Sequence, residues 1–171
     1  RRTARQYGVE EQLRFLRCDG LQGIDPKDAD TVVIAGMGGE TIIHILSQAP
    51  WTRNGNTLLL LQPMTKQEEL RRWLNENGYA QYAERLVRDK NYLYPVFTVC
   101  GGAQTALSVG EIYGGLDIEV DPLAGEYLAQ RIRRLTQAVD GLLKGGSADN
   151  ARRAQELGEI ITALKERRDA L

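Results

Sequence analysis

The sequence predicts an α/β fold with a doubly wound sheet, followed by a helical hairpin. Two continuous apolar runs, at residues 31–35 and 57–61, are typical of strands covered on both faces. Each run ends in a loop containing glycine or proline and is followed by a helical pattern. From residue 123 onward, apolar residues recur at alternating four- and three-residue steps, as in two helices packed on each other.

The composition narrows the functional classes. The 171 residues carry 22 Lys and Arg against 23 Asp and Glu, a formal net charge of -1, so any nucleic-acid contact must come from a local patch. Cys18, Cys100 and the single histidine, His44, offer no zinc-ligand spacing and no disulfide framework. No apolar run approaches the roughly 18 residues of a membrane span. We therefore expect a reduced, cytoplasmic protein without a metal centre or a membrane segment.

The N-terminal region is expected to contribute a helix end, a strand and a turn. A helix closes at Gly8, and because no initiator Met precedes it we expect that the natural N-terminus has been cut away. Residues 13–17 then form a short strand-like segment that leads into an Asp19-Gly20 turn. The strand at 31–35 and a helix at 40–46 follow.

The second half of the sheet is predicted from turn and cap signals. After the strand at 57–61, Thr65 and Glu68 have the spacing of a capping box for a helix that ends near Gly78. Strands at 83–87 and 92–99 are close enough to form a hairpin, which predicts an antiparallel edge.

The C-terminal third is predicted to contain an irregular segment and then two helices. We divide the chain into a sheet domain at 1–102, a Gly-rich linker at 103–122 and a helical hairpin or coiled coil at 123–171. The hairpin breaks at 144–149, where Ser147 or Asp149 can cap the second helix.

The loop Ala35-Gly36-Met37-Gly38-Gly39 is the first candidate for a binding site. It follows a buried strand and precedes a helix, at the edge where open α/β sheets bind ligands. A dinucleotide fingerprint would require Gly or Ala at position 41 and an acidic residue at the end of the next strand. Thr41 and Gln62 stand there instead, which weakens a nicotinamide-dependent enzyme but leaves it as an alternative.

Several motifs occur in one order: Asp19-Gly20-Leu21, Ala35 to Gly39, Leu61-Gln62-Pro63, Leu70-Arg71-x-Trp73-Leu74 and Tyr92-x-Tyr94. Together, over about residues 9–100, they closely resemble the bacterial tRNA (adenine(22)-N(1))-methyltransferases, which use S-adenosylmethionine (SAM). The resemblance implies a Rossmann-like class I methyltransferase sheet whose first strands are missing. It also implies a C-terminal coiled-coil domain, and the apolar repeat from residue 123 onward is of the kind found in coiled coils.

The resemblance also implies roles for individual residues. Asp19 and Gly20 would lie at the SAM adenine, and Ala35, Gly36, Met37 and Gly38 beside the reactive sulfur and the target base. Gln62 and Pro63 would face the tRNA nucleotide, and with Gly38 they are the candidate catalytic residues. Met64 stands where the family usually has Asn. The family's glycine-containing acidic motif is absent, so we expect these 171 residues to bind SAM poorly and to be inactive alone.

The chemistry of the loop favours a ring nitrogen as the methyl acceptor, because Ala35 to Gly38 offer no side chain to accept protons from an amine. RNA binding would depend on local cations, and the tail supplies seven arginines as candidates: Arg131, Arg133, Arg134, Arg152, Arg153, Arg167 and Arg168. Because acidic residues are interspersed among them, most are expected to belong to a solvated face of the coiled coil. A third alternative is a non-enzymatic helical module that binds RNA or protein through residues 123–171.

Overall fold

The computed structural model describes all 171 residues. They form one four-stranded sheet, six α-helices and four short 3-10 helices, joined by loops. The helices and strands are α1 (Arg2–Gln6), β1 (Thr31–Gly38), α2 (Gly39–Ser47), β2 (Leu58–Thr65), α3 (Gln67–Glu76), β3 (Tyr79–Asp89), β4 (Tyr92–Gly101), α4 (Val109–Gly114), α5 (Ala124–Lys144) and α6 (Ala148–Asp169). The α/β class, both long helices and the β3–β4 hairpin are therefore confirmed. No helix combines the length and the apolar character needed to cross a membrane.

The strand order is β1-β2-β4-β3, with β1 and β2 parallel and β4 antiparallel to both of its neighbours. The predicted antiparallel edge is therefore confirmed, because β3 forms the edge and pairs antiparallel with β4. β4 lies between β2 and β3, and its alternation buries Phe97 and Val99 completely on one face. The carboxyl ends of β1, β2 and β3 meet at one edge of the sheet, which we call the carboxyl edge.

The strand predicted at residues 13–17 is wrong. This segment has no regular secondary structure, and Leu13 and Leu16 are each 48% exposed. A strand requires a hydrogen-bonded neighbour, and the sheet ends at β1, which pairs with β2 alone. An apolar pattern without a partner strand therefore stays irregular.

The predicted capping box at the start of α3 is also wrong. Lys66 is the N-cap, in a left-handed conformation with φ of 54°, and no side chain caps the helix. Thr65 remains the last residue of β2, so it is one position too early to cap. Gln67 instead anchors the first turn by donating its side-chain amide to the carbonyl oxygens of Pro63 and Met64, at 3.4 and 3.3 Å.

One face of the sheet is covered and the other is largely open. Helices α2 and α3 pack on the covered face around a core that includes Ile42, Leu59 and Phe97. On the opposite face Val33 is 66% exposed and Tyr82 is 64% exposed. Trp51 and Trp73 are partly buried and pack against the covered core.

A second core joins the β3–β4 hairpin to the helical tail. Leu86 and Leu93 of the hairpin are buried with Ile118 and with apolar residues of α5 and α6: Ala124, Tyr127, Leu128, Ile132, Leu157, Ile160 and Leu164. The predicted helical break is confirmed, because the Ser147 hydroxyl accepts the N–H of Asn150 at the start of α6. The tail thus shares its core with the sheet.

The segment predicted to be an irregular linker is ordered where it meets the tail. Residues 109–114 form α4, which begins with a capping box between Ser108 and Glu111. Arg167 of α6 donates to the carbonyl oxygens of Gly110 and Gly115, at 2.6 and 2.8 Å. The proposed domain boundaries at 102 and 122 stay a prediction, and the packing shows that the three segments are in contact.

A completely buried ion pair connects α3, β3 and α4. Arg71 donates from Nε to Glu84 at 3.0 Å and from Nη1 to the carbonyl oxygen of Ile112 at 2.8 Å. Glu84 also accepts from Gln81 and from the N–H of Leu116, at 2.9 and 3.1 Å. Burial by itself lowers the pKa of Arg71, but the charge of Glu84 outweighs burial and holds that pKa above its ordinary value.

We expect Arg71→Met to destabilise the fold strongly, by about 3–5 kcal/mol, because it leaves the Glu84 carboxylate buried without its cation. Urea unfolding followed by circular dichroism measures the effect. Arg88→Met is the matched control, because Arg88 forms an ion pair with Glu126 in which both side chains are largely exposed. Equal unfolding midpoints for the two variants would contradict the structural role of Arg71.

A second prediction concerns Glu68 of α3, which pairs with Arg131 of α5 at 2.9 Å. Burial raises the pKa of Glu68, but Arg131 and a backbone hydrogen bond outweigh burial, so the pKa lies below its ordinary value. The pair therefore stabilises the fold above the ordinary carboxyl pKa and is lost as the pH falls through the lowered value. We expect wild type to exceed Glu68→Gln in free energy of unfolding at pH 7, with the difference vanishing on acidification.

The control for this pH dependence is Glu159→Gln, because Glu159 is exposed on α6 and forms no ion pair. Thermal unfolding at a series of pH values gives the comparison. A Glu68→Gln difference that stays constant from neutral to acid pH would show that the charge of Glu68 is not the stabilising feature.

Candidate functional site

The glycine loop and the end of β2 are joined directly at the carboxyl edge. The N–H of Gly36 donates to Oε1 of Gln62 at 2.8 Å, and the register between β1 and β2 is irregular from Ala35 to Gly38. Gly36 has φ of 77°, which favours glycine, and a Cβ there would have no atom within 4 Å. The backbone of Gly36 is therefore held in place and open to an approaching molecule.

The next two glycines are constrained by the neighbouring loop. A Cβ on Gly39 would lie 2.5 Å from the carbonyl oxygen of Lys66, and one on Gly38 would lie 3.1 Å from the hydroxyl of Thr65. Lys66 also forms an ion pair with Glu40 at 2.5 Å, and this hydrogen bond raises the pKa of Lys66. The two strand-to-helix loops are thus packed against each other, which fixes the carboxyl edge.

The structure brings together part of the predicted set of site residues. Ala35 lies opposite Gln62, Met37 opposite Pro63 and Gly38 opposite Thr65. Gly20 lies beside the side chain of Ile45, six residues beyond the start of α2, and takes no part in the contact between Gly36 and Gln62. All five predicted cofactor residues are exposed: Asp19, Gly20, Ala35, Gly36 and Met37.

The two candidate residues at the end of β2, Gln62 and Pro63, differ in their burial and in their hydrogen bonds. Pro63 is buried, so its ring directs the path of the strand rather than facing the open edge. Gln62 uses its oxygen for Gly36, and its amide nitrogen lies 3.4 Å from the sulfur of Met64. Met64 is 45% exposed. Gln62 therefore donates one amide N–H to Met64 and keeps the other available at the edge, while its oxygen holds the glycine loop.

A groove of about 390 Å³ opens beside Gln62, lined by Gln62, Met64, Val87, Asp89, Tyr94 and Val96. Its walls come from the ends of β2, β3 and β4, so it lies at the carboxyl edge and on the open face of the sheet. Four of the six lining residues are apolar, and Asp89 supplies a carboxylate. The size and lining suit a flat, partly polar ring such as a nucleobase.

Sequence reasoning missed Val87, Asp89 and Val96 as lining residues. The available signal was the alternation in β4, where residues 93, 95 and 97 are buried and their neighbours point to the other face. Tyr92-x-Tyr94 shows the same two-residue spacing. His44, the single histidine, is exposed on α2, and no three His, Cys, Asp or Glu side chains are grouped to hold a metal ion.

Comparison with known proteins identifies the class of enzyme. Residues 1–97 match the family described as the methyltransferase domain. The chain therefore belongs to the methyltransferase-domain family, and the reading as a nicotinamide-dependent enzyme is not favoured.

The relatives narrow the class further. The chain is 26% identical to the tRNA (adenine(22)-N(1))-methyltransferase of Bacillus subtilis (strain 168), over 97% of this chain and 73% of the relative. The crystal structure of the B. subtilis m1A22 tRNA methyltransferase TrmK superposes with a TM-score of 0.82 at 26% identity, covering 98% of this chain and 75% of that one. A Listeria monocytogenes protein of uncharacterised function also gives a TM-score of 0.82, at 26% identity over 97% of this chain and 75% of that one. The resemblance stated from the motifs, and the Rossmann-like methyltransferase fold, are confirmed.

We expect Gln62→Ala to release the glycine loop, because the Gly36 N–H loses its acceptor. Loss of one such hydrogen bond, worth about 1 kcal/mol, should speed amide exchange of Gly36 roughly fivefold in NMR-detected hydrogen exchange. Gln62→Glu retains an acceptor oxygen and should preserve protection, and Met64→Ala serves as a neighbouring control. Unchanged exchange in Gln62→Ala would refute the positioning role of Gln62.

Proposed function

We propose that this protein transfers a methyl group from SAM to N1 of an adenine in tRNA, at position 22 as in its Bacillus subtilis relative. The observation that carries the proposal is the groove that opens beside the Gly36–Gln62 contact at the carboxyl edge. The open glycine backbone and the groove provide adjacent places for a methyl donor and a flat acceptor ring. Cytoplasmic localisation follows from tRNA as the substrate.

The glycine loop fits one side of a bound SAM. The space around Gly36 permits close approach of a ligand to the backbone, and Ala35 and Met37 are exposed beside it. A Streptococcus pneumoniae protein with the same fold, 24% identical, was crystallised with S-adenosyl-L-methionine. SAM supplies the methyl group when it is bound. Because sites that bind such molecules bury most of the ligand surface, these exposed residues alone should hold it weakly.

The acceptor side requires positioning rather than proton removal. Adenine N1 already carries a lone pair, so orientation and exclusion of water should dominate the rate. Gln62 can donate from its amide nitrogen to a base edge, and Tyr94 and Met64 offer apolar surface against a ring. Since N1 takes part in base pairing within a duplex, the adenine must enter the groove unpaired or flipped out.

The alternative of a non-enzymatic module formed by residues 123–171 alone is less well supported. The apolar residues of α5 and α6 are buried together with Leu86, Leu93 and Ile118, which lie outside that segment. Without these residues the two helices would expose part of their apolar face. We therefore propose that the tail functions together with the sheet.

The test is transfer of labelled methyl from SAM to unmodified bacterial tRNA, with the product mapped by primer-extension stops. Two proteins are compared: this chain, and a fusion in which the glycine-containing acidic segment of the Bacillus subtilis relative precedes Arg1. We expect a stop at adenine 22 with the fusion and little or none with the chain alone, together with weak SAM binding by the chain in equilibrium dialysis.

Two variants of the fusion locate the site. Gly38→Val should reduce the stop, because its side chain would press on Thr65 at the carboxyl edge. Gly158→Ala is the control, because a Cβ at that position in α6 meets no atom within 4 Å. Absence of a stop with the fusion, or a stop at another nucleotide, would contradict the proposed reaction.

A further inference from the structure

The structure separates the seven arginines of the tail into two groups. Five form ion pairs with nearby carboxylates: Arg131 with Glu68, Arg152 with Asp149, Arg153 with Glu156, Arg167 with Glu119 and Arg168 with Asp169. Arg133 and Arg134, which are adjacent on α5, form no ion pair and are exposed. These two guanidinium groups are therefore available to an external anion.

Arg133 and Arg134 lie next to the turn of the β3–β4 hairpin. Together with Asn91, Tyr92, Gln130 and Gln137 they line a shallow groove of about 280 Å³. None of these six residues is acidic. The nearby Glu126 accepts hydrogen bonds from Arg88 and Gln130, so its charge is already compensated. The groove combines two cations with three side-chain amides and one aromatic ring.

An aromatic pair connects this groove with the groove beside Gln62. The rings of Tyr92 and Tyr94 have centroids 6.3 Å apart, and Tyr92 is 56% exposed. Tyr92 lines the groove with the arginines, whereas Tyr94 lines the groove with Gln62 and Met64. The two rings therefore lie between the groove at α5 and the groove at the carboxyl edge.

We propose that Arg133, Arg134, Tyr92 and Tyr94 form an RNA track that guides an unpaired strand of tRNA into the groove beside Gln62. Arginine binds phosphate through paired N–H donors, and unpaired bases stack on exposed aromatic rings. The side-chain amides of Asn91, Gln130 and Gln137 are uncharged, and they can form hydrogen bonds with sugars or base edges. The identification of the ligand as tRNA rests on the proposed function. The inference adds the residues that contact the strand carrying the target adenine.

The first test measures binding of unmodified tRNA to the chain by fluorescence anisotropy, without SAM and at several salt concentrations. We expect Arg133→Gln/Arg134→Gln to weaken binding roughly tenfold near physiological salt. The slope of log K against log salt should become shallower by about 1.4, because each single-strand phosphate contact contributes roughly 0.7. The matched control is Arg152→Gln/Arg153→Gln, which removes the same charge from paired arginines and should change both quantities much less.

The second test addresses stacking. Tyr92→Ala should weaken tRNA binding about fivefold or more, whereas Tyr92→Phe keeps the ring and should bind like wild type. Circular dichroism melting checks that all variants remain folded, as expected for exposed positions. Equal weakening in both arginine pairs, or no difference between Tyr92→Ala and Tyr92→Phe, would overturn the track.

The outcomes are separable from those of the methyl-transfer test. Failure of the unmodified chain to bind tRNA would also overturn the track, because its residues are all present in these 171. Variant-sensitive binding together with a fusion that methylates no tRNA would count against the proposed reaction and leave the track supported. If substitutions of Arg133, Arg134 and Tyr92 leave methylation at adenine 22 unchanged, the proposed reaction would be supported and the track would be overturned.

Discussion

The buried pair of Arg71 and Glu84 is the constraint on which the arrangement of the molecule depends. Neither side chain is exposed, and both ends of the pair also bond the segment that follows the sheet, at Ile112 and Leu116. Arg71 additionally lies 4.8 Å from the centre of the Phe97 ring, at the heart of the sheet. A single buried ion pair therefore connects α3, the edge strand β3 and the segment around α4.

Much of the fold follows from local patterns in the sequence. The apolar runs of β1 and β2, the spacing of the β3–β4 hairpin and the heptads of the tail all identify elements that the structure contains. The errors arise where a neighbour in space decides. Residues 13–17 have the composition of a strand but no partner, and Thr65 has the spacing of a cap but belongs to β2. The order of the strands, with β4 between β2 and β3, is set by pairing between segments distant in sequence, which no local pattern reports.

The candidate site was also predictable only in part, because local motifs identify some of its residues and contacts in space bring in the others. The glycine loop and Gln62 stand out as sequence motifs, and the structure joins them by a hydrogen bond that explains why a side-chain oxygen is needed at residue 62. The groove was not predictable, because its lining comes from three strands whose order had to be known first. Arg133 and Arg134 could not be distinguished from the other arginines until the carboxylate partners of those five were located.

The alternation of β4 places core packing on one face of the strand and the lining of the grooves on the other. Leu93 and Phe97 point into the two cores, whereas Tyr92, Tyr94 and Val96 point to the open grooves. Substitutions on the open side change the lining of the two grooves, while the buried side continues to pack against the tail. Because a slip of one residue would exchange the two sides, insertions in this strand are forbidden where replacements are tolerated. The groove-lining side of β4 can therefore change by point substitution while the stability of the fold stays nearly constant.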